Sequence, residues 1–417
     1  MSQSISAAPR RSRASKRVPA RRKFWRVALI TLATLCGAAA ALWVALHRYD
    51  WMGPLVANTL RSIIGVDAVA KLEDFTYAVE DRVNRLTRRH EAPKTYWSVP
   101  PTQSAAKAEA EPAPQPVKDA PVLRFRPKDP GPALKQWSAP GDGVWVPIVD
   151  SRYPQEEPFL YKTLLHPDAG RSWSEAFVVA IDLRRVDVYV VAGSQEPKAD
   201  DPKTVYERRA RIPDEHHETV LAAFNGGFMT EHGGYGMKVD GIVLVHPKPS
   251  ACTLALYKDG TMRIASWSKL AAGEADMVWY RQAPQCMYEA GKIHPGLTAG
   301  SGLKWGATLD GDTVIRRSAV GLSADREILY VSITNHTSAR ALADAMRHAG
   351  AVDVAQMDVN WSYPKFVLYE ADAPGQKRKA VALASGFEFS EDEYIRKRAR
   401  RDFFYAVRRN SPRQATP

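Results

Sequence analysis

Residues 219–241 read TVLAAFNGGFMTEHGGYGMKVDG, and the reading of this stretch decides the fold. The apolar run Val220 to Phe224 predicts a buried strand that enters Asn225-Gly226-Gly227-Phe228. Gly233-Gly234-Tyr235-Gly236 follows shortly after. A strand that runs into paired glycines lets backbone come close to a ligand where a side chain would block it. Asn225 adds a side-chain donor and an acceptor at the strand end. Taken alone, such clusters also make ordinary tight turns and hairpin loops. The segments downstream decide between the two.

Outward from this stretch the β pattern continues. Phe159 to Leu165 is a candidate strand, and Phe177 to Leu183 with Val186 to Val191 predicts a hairpin turning at Arg184-Arg185. Ile242 to Val245, Thr253 to Lys258 and Met262 to Ala265 extend it, with Asp259-Gly260 as a second hairpin turn. The pattern then changes. Ile328 to Thr334 is a strand, and Thr337 or Ser338 caps a helix carrying Leu342, Ala345, Met346 and Ala349, which Gly350 ends. Val352 to Val359 is the next strand. This strand–helix–strand unit predicts adjacent parallel strands. The fold class expected is α+β, a mixed β-sheet domain preceded by one transmembrane helix.

That helix is expected at Val27 to Leu46, about 20 residues without a charge, with Trp25, Trp43 and Tyr49 near its ends. Residues 1–26 hold nine Lys or Arg and no acid. The positive-inside rule then keeps this arm cytoplasmic and places the main domain in the periplasm or outside the cell. Arg21-Arg22-Lys23-Phe24-Trp25-Arg26 also resembles a twin-arginine export signal with a cleavage site at Ala38-Ala39-Ala40, but the apolar run continues past that site. Cys36 reads as an apolar filler within the span.

The chain has 417 residues, with 45% hydrophobic and 25% charged, enough for a sizeable core. Its net charge of +12 sits at the two ends: +9 in residues 1–26 and +6 in residues 376–417, so the middle is slightly acidic. No nucleic-acid partner is expected. Residues 51–90 carry apolar positions at helical spacing and predict a juxtamembrane helical segment. Residues 99–120, rich in Pro, Ala, Lys and Glu, predict a linker, and the exported domain is expected over residues 121–410. The run Arg396-Lys397-Arg398-Ala399-Arg400-Arg401 before Phe403-Phe404-Tyr405 predicts a terminal amphipathic helix, with contact to an anionic lipid or acidic polysaccharide as the sharper alternative. Cys252 and Cys286 can form one disulfide closing about 34 residues, worth about 3–4 kcal/mol; two free buried thiols is the other reading.

Three segments, in order, resemble the phosphodiester glycosidase family. They are Asn225-Gly226-Gly227-Phe228 with Gly236 and Asp240-Gly241, then Ile315-Arg316-Arg317-Ser318-Ala319-Val320-Gly321, then the helix from Ala339 to Gly350 leading into Met357-Asp358. Arg281-Gln282-Ala283-Pro284 is similar to a stretch the family carries between the first two. The resemblance covers about residues 170–390. It implies hydrolysis of a sugar–phosphate diester at the sugar carbon, on an envelope or secreted glycan. Asp358 is then the carboxylate that stabilises the oxocarbenium ion, Arg317 the phosphate clamp, and Asn225 an orienting group. The Gly226 and Gly227 N–H groups offer an anion nest. Asp240, Asn360, His336 and Glu231 are candidate substrate-binding residues. No metal is demanded, although Asp240, Asp358 and the glycine loop suit a hard cation such as Ca²⁺. One departure stands out. The family has consecutive glycines and then a serine after the aspartate, whereas this chain has Asp358-Val359-Asn360-Trp361-Ser362. That implies a different substrate, or a non-catalytic glycan- or partner-binding protein on the same fold.

Overall fold

In the computed structural model, the described residues are 25–35, 65–99, 125–298, 305, 313–371 and 375–409, with single positions between 37 and 63. They fall into two compact units, residues 1–69 and 70–417. In the first, residues 25–35 are helical. The predicted span at 27–46 is described only over 27–35, 37, 38 and 41, all helical, and its remainder lies outside the described residues. Among the described residues no helix is long and apolar enough to cross a membrane. The linker at 99–120 also lies outside them, apart from Val99.

Helix α1 (Val66–Thr87) ends the predicted juxtamembrane segment. From Ala70 onward it belongs to the second unit. Asp81 anchors it there, accepting from Arg171 Nε at 2.6 Å and Nη2 at 2.7 Å. Its apolar positions Leu72, Phe75, Val79, Val83 and Leu86 are exposed, because the helix docks through its polar side. The residues that follow also join the unit. Tyr96 stacks edge-on against Phe177 and donates to Glu175, and Trp97 packs on the same ring. The domain therefore recruits residues well before the expected start near Pro121.

The strands in chain order begin with β1 (Val146–Ile148), β2 (Leu160–Leu165), β3 (Glu175–Asp182), β4 (Val186–Val191), β5 (Val220–Asn225) and β6 (Met237–Val239). Then come β7 (Ile242–Val245), β8 (Cys252–Tyr257), β9 (Met262–Ser266), β10 (Met277–Ala283), β11 (Tyr288–Glu289) and β12 (Lys292–Ile293). The last are β13 (Arg317–Leu322), β14 (Ile328–Asn335), β15 (Asp353–Val359), β16 (Phe366–Glu370), β17 (Lys379–Ala382) and β18 (Phe403–Arg408). They make three sheets, in the orders β1-β2-β3-β14-β13-β15-β11-β12, β7-β6-β10-β8-β9 and β17-β16-β5-β18-β4. The domain is mixed α and β, and the strand pairings are antiparallel.

Two expected pairings differ. β3 and β4 do not form a hairpin. β3 is buried along its whole length between β2 and β14, while β4 crosses to another sheet to pair with β18. β14 and β15 do run parallel, but β13 lies between them and is antiparallel to both. The helix between them, α3 (Ala339–Ala349), follows the short α2 (Trp267–Leu270). Ser338 Oγ caps α3 by accepting from the Ala341 N–H at 3.1 Å, and Gly350 closes it in the left-handed region. Alanines on its buried face let it lie close over β13 and β14.

The predicted C-terminal amphipathic helix is absent. Residues 391–402 turn repeatedly, and Phe403 to Arg408 enters the third sheet between β5 and β4. Phe403, Phe404 and Tyr405 are buried, and a strand alternates such rings between two packed faces. Phe224 stacks between Phe366 at 5.8 Å and Phe404 at 5.3 Å, which fixes β5 against both neighbours. Cys252 and Cys286 are bonded to each other.

Candidate active site

Strand β5 ends at Asn225, β15 ends just past Asp358, and β13 begins beside them with Arg317 and Ser318. The three ends meet in one network. Asn225 Nδ2 donates to Ser318 Oγ at 2.8 Å and to the Gly226 carbonyl at 3.1 Å. Ser318 Oγ donates to the Asp358 carbonyl at 2.8 Å. The Asp358 N–H donates to the Gly226 carbonyl at 3.2 Å. Asn225 Oδ1 accepts from the Lys365 N–H at 3.1 Å, so the whole amide is engaged. Asn225 is thus a buried brace that ties three strand ends together.

The Asp358 side chain has two partners. Oδ1 accepts from the Val359 N–H at 2.8 Å, and Oδ2 accepts from Arg401 Nη1. Its side chain is 2% exposed and that of Arg401 24%, so Arg401 is the more exposed member of the pair. Burial pushes the Asp358 carboxyl above the usual carboxylate range, against the pull of Arg401. Burial works against the charge on Arg401, but Asp358 more than restores it and holds the group protonated. The Arg401 guanidinium lies over the Tyr363 ring at 4.6 Å. Burial and then Asp402 hold the Tyr363 phenol well above its ordinary range. Tyr363 Oη donates to the Asp402 carbonyl at 2.5 Å.

The neighbouring Asp402 belongs to a second pair. Its carboxylate accepts from Arg281 Nε at 2.8 Å and Nη2 at 3.2 Å, and neither residue is exposed. Asp402 also fills the predicted anion nest. Its carbonyl accepts from the Gly226 N–H at 3.0 Å and its Oδ2 from the Gly227 N–H at 2.9 Å. A Cβ on Gly226 would sit 2.1 Å from Asp402 Oδ2, and one on Gly227 would sit 2.8 Å from the Arg281 guanidinium carbon. The paired glycines admit the protein's own ion pair. Arg281 then reaches the carbonyls of Phe228 at 2.6 Å and Tyr235 at 2.9 Å, which sets both ends of the glycine loop.

The structure does not bring the Arg317 guanidinium to this network. Arg317 precedes Ser318 on β13, so its side chain leaves the opposite face of the sheet. It is fully buried and donates to the carbonyls of Trp305 at 2.6 Å, Thr313 at 2.7 Å and Thr337 at 3.2 Å, and to Gln356 Oε1 at 3.1 Å. A clamp on a substrate phosphate needs free donors in a cleft, and this group is engaged as a strut.

The other predicted residues scatter. Asn360 accepts from the Ser362 N–H at 3.0 Å and the Tyr363 N–H at 2.5 Å, so it shapes the turn that presents Tyr363. His336, at the end of β14 with φ of 50°, packs on the Trp361 ring at 5.0 Å. Burial, with Arg88 and Arg316 nearby, depresses its imidazole to about 4. Asp240 is the turn residue between β6 and β7 and accepts from Tyr206 Oη at 2.9 Å. Glu231 lies in the single turn Thr230–His232, 3.6 Å from the His232 ring. Among the described residues no group of three His, Cys, Asp or Glu side chains is placed to hold a metal ion. Four members of the site escaped the sequence: Arg401, Asp402, Tyr363 and Arg281. Arg281 had a signal in the Arg281-Gln282-Ala283-Pro284 segment. Arg401 and Asp402 were hidden in a basic run that reads as a helix.

No protein-family model matches the chain, and no curated protein matches it. Among solved structures, the chain is similar to the catalytic domain of zebrafish N-acetylglucosamine-1-phosphodiester alpha-N-acetylglucosaminidase, auto-inhibited by its pro-peptide. The identity is 14% and the TM-score 0.39, over 63% of this chain and 87% of that one. A hypothetical protein from Synechocystis shares 10% identity at a TM-score of 0.30, over 61% and 65% of the two chains. An exported protein of Burkholderia pseudomallei shares 10% at 0.24, over 56% and 74%. At this level the likenesses decide nothing about the chemistry, which has to be argued from the site itself.

Proposed function

We propose that the chain is a hydrolase of phosphate-linked glycans, cleaving a sugar–phosphate diester at the sugar carbon. One observation carries the reading: a buried carboxylate, Asp358, is paired with a partly exposed arginine, Arg401, at the joint end of three strands. The phosphate of a bound diester meets Arg401 first. Its planar fork suits two phosphate oxygens, and drawing it onto phosphate frees Asp358. The sugar carbon then faces a carboxylate in a water-poor setting, where it stabilises positive charge strongly. The departing phosphomonoester is a weak base and needs little proton donation. Asn225 and Ser318 act as positioning residues, because they hold the Asp358 backbone. The basic arm and the apolar run at 27–46 support an envelope protein anchored with this domain on the outer side.

A non-catalytic binding protein is the second reading. The observation favouring it is that Asp358 is already engaged by Arg401 and the Val359 N–H, in a segment where side chains replace the family's glycines. The deciding experiment is turnover of a panel of sugar 1-phosphodiesters by the full chain, beside Asp358→Asn, Arg401→Ala and Arg317→Met variants. Turnover that Asp358→Asn and Arg401→Ala abolish, and that Arg317→Met leaves in the folded fraction, supports the hydrolase. Glycan binding without turnover of any diester moves the assignment to the binding protein.

A further inference from the structure

The basic run near the C-terminus and the segment before β5 meet on one surface. Arg398 donates from Nη2 to the Arg208 carbonyl at 2.5 Å and from Nε to the Arg209 carbonyl at 3.3 Å. Arg208 donates to the carbonyls of Gly193 at 2.8 Å and Pro197 at 2.6 Å. The backbone of Arg400 and Arg401 lies so close to Gly193 that a Cβ there would sit 2.4 Å away. The Arg400 carbonyl accepts from the Gln195 and Glu196 N–H groups at 3.0 Å. The segments carrying Arg208, Arg209, Arg398 and Arg400 therefore lie against one another, and Arg400 adjoins Arg401, which pairs with Asp358.

These four cations have no ion-pair partner among the described residues, while Asp240 and Glu215 lie in the wider surroundings of Arg209. Three acids of these segments are engaged elsewhere: Asp392 with Arg396, Glu393 with Lys365 and Lys397, and Asp214 with Arg211. Among the described residues none of the four arginines forms an ion pair. Arg208 and Arg398 are fixed by carbonyl oxygens, which hold a guanidinium in place while leaving its charge intact. Arg209, Arg398 and Arg400 are exposed. A cluster of positive charge without ion-pair partners concentrates a polyanion at the surface and speeds its arrival. The arginines carry no exposed aromatic ring among them, the platform on which single-stranded nucleic acids stack.

We propose that this face is a binding track for a polyanionic glycan, one bearing phosphate groups at intervals, and that it delivers each linkage to Arg401 and Asp358. The inference rests on the reading of that site as phosphodiester-cleaving. The track gives the enzyme a preference for polymer over a single diester, and the preference weakens with salt.

The test is binding of a fluorescently labelled phosphodiester-linked polysaccharide to the full chain in detergent, across a salt series. Arg209→Glu with Arg400→Glu is the variant, since neither guanidinium makes a hydrogen bond among the described residues. Polymer binding should weaken about tenfold or more, with a flatter salt dependence. Turnover of a small sugar 1-phosphodiester should be unchanged in the same variant. Asp358→Asn should bind the polymer like the native chain. Undiminished polymer binding in the double variant overturns the proposal. So does binding to phosphatidylglycerol vesicles or to a DNA oligomer that equals or exceeds polymer binding at the same salt. Arginine-dependent polymer binding with no turnover of any diester keeps the track and overturns the reading of the site.

Discussion

Residues 401 and 402 are neighbours in sequence, yet they serve two ion pairs of opposite character. Asp402 meets Arg281 with both partners fully buried, and the glycine turn donates to the same carboxylate. Arg401 meets Asp358 with its side chain partly exposed and with fewer donors around the acid. A sealed pair with every donor placed locks backbone together. A pair with one exposed member can be opened by a competing anion. On the proposed reading, the sealed pair holds the site and the open pair does its chemistry.

The largest expected effect breaks the sealed pair. Asp402→Ala leaves Arg281 buried without its counter-charge and the Gly227 N–H unpaired, at a cost of about 3–5 kcal/mol. Denaturant unfolding of the variant reads this directly, and a loss under about 1 kcal/mol would remove the structural role. Next comes Arg317→Met, which orphans several carbonyl oxygens and should cost roughly 2–4 kcal/mol. Its KM for a diester should stay unchanged, whereas a rise in KM at full stability would restore Arg317 as a phosphate ligand.

Asp358→Asn sharpens the comparison from the other side. It removes a carboxylate whose charge burial already disfavours, so unfolding should shift by less than about 1 kcal/mol. Turnover should nevertheless fall by about a hundredfold or more. Equal losses of stability in Asp358→Asn and Asp402→Ala would erase the distinction between the pairs.

The smallest effect concerns acid. His336 has a folded pKa near 4, below its ordinary 6.5. The unfolded chain therefore takes up the proton first as pH falls. His336 contributes its stability above pH 6.5 and loses it on the way down to about 4, by at most roughly 3 kcal/mol. His336→Asn accepts the same positive φ and cannot titrate, so its melting temperature should fall less between pH 6.5 and 4 than that of the native chain. Parallel curves would show that other groups dominate acid unfolding.

The sequence was informative where local rules were strong. The cap at Ser338, the left-handed stop at Gly350, the turn at Asp259-Gly260 and the strand entering Asn225 were all legible, because each depends on neighbours within a few residues. The order and spacing of the motifs singled out Asp358 and Asn225, which the fold brings into one network. The role of Arg317 was not, because period-two alternation places it on the face opposite Ser318, and the resemblance does not say which face meets substrate. The strand at Phe403 was hidden by the basic run before it. That run follows no helical period once the bends at 391–402 are seen, and the aromatic triplet is buried on two faces rather than one. The β3–β4 hairpin failed for a related reason: a short turn cannot reveal that its two strands join different sheets.

Strand β18 is an interior strand of the third sheet, between β5 and β4, although more than 170 residues separate it from β5 in sequence. A chain that emerges N-terminus first holds β4 and β5 with an open slot between them until residues 403–408 have been delivered. Arg401 and Asp402 arrive with that same strand, so the glycine turn and Asp358 stay unfinished over the same interval. Maturation of the site is thereby tied to the arrival of the late strand, and a chain stalled before residue 400 would carry neither ion pair.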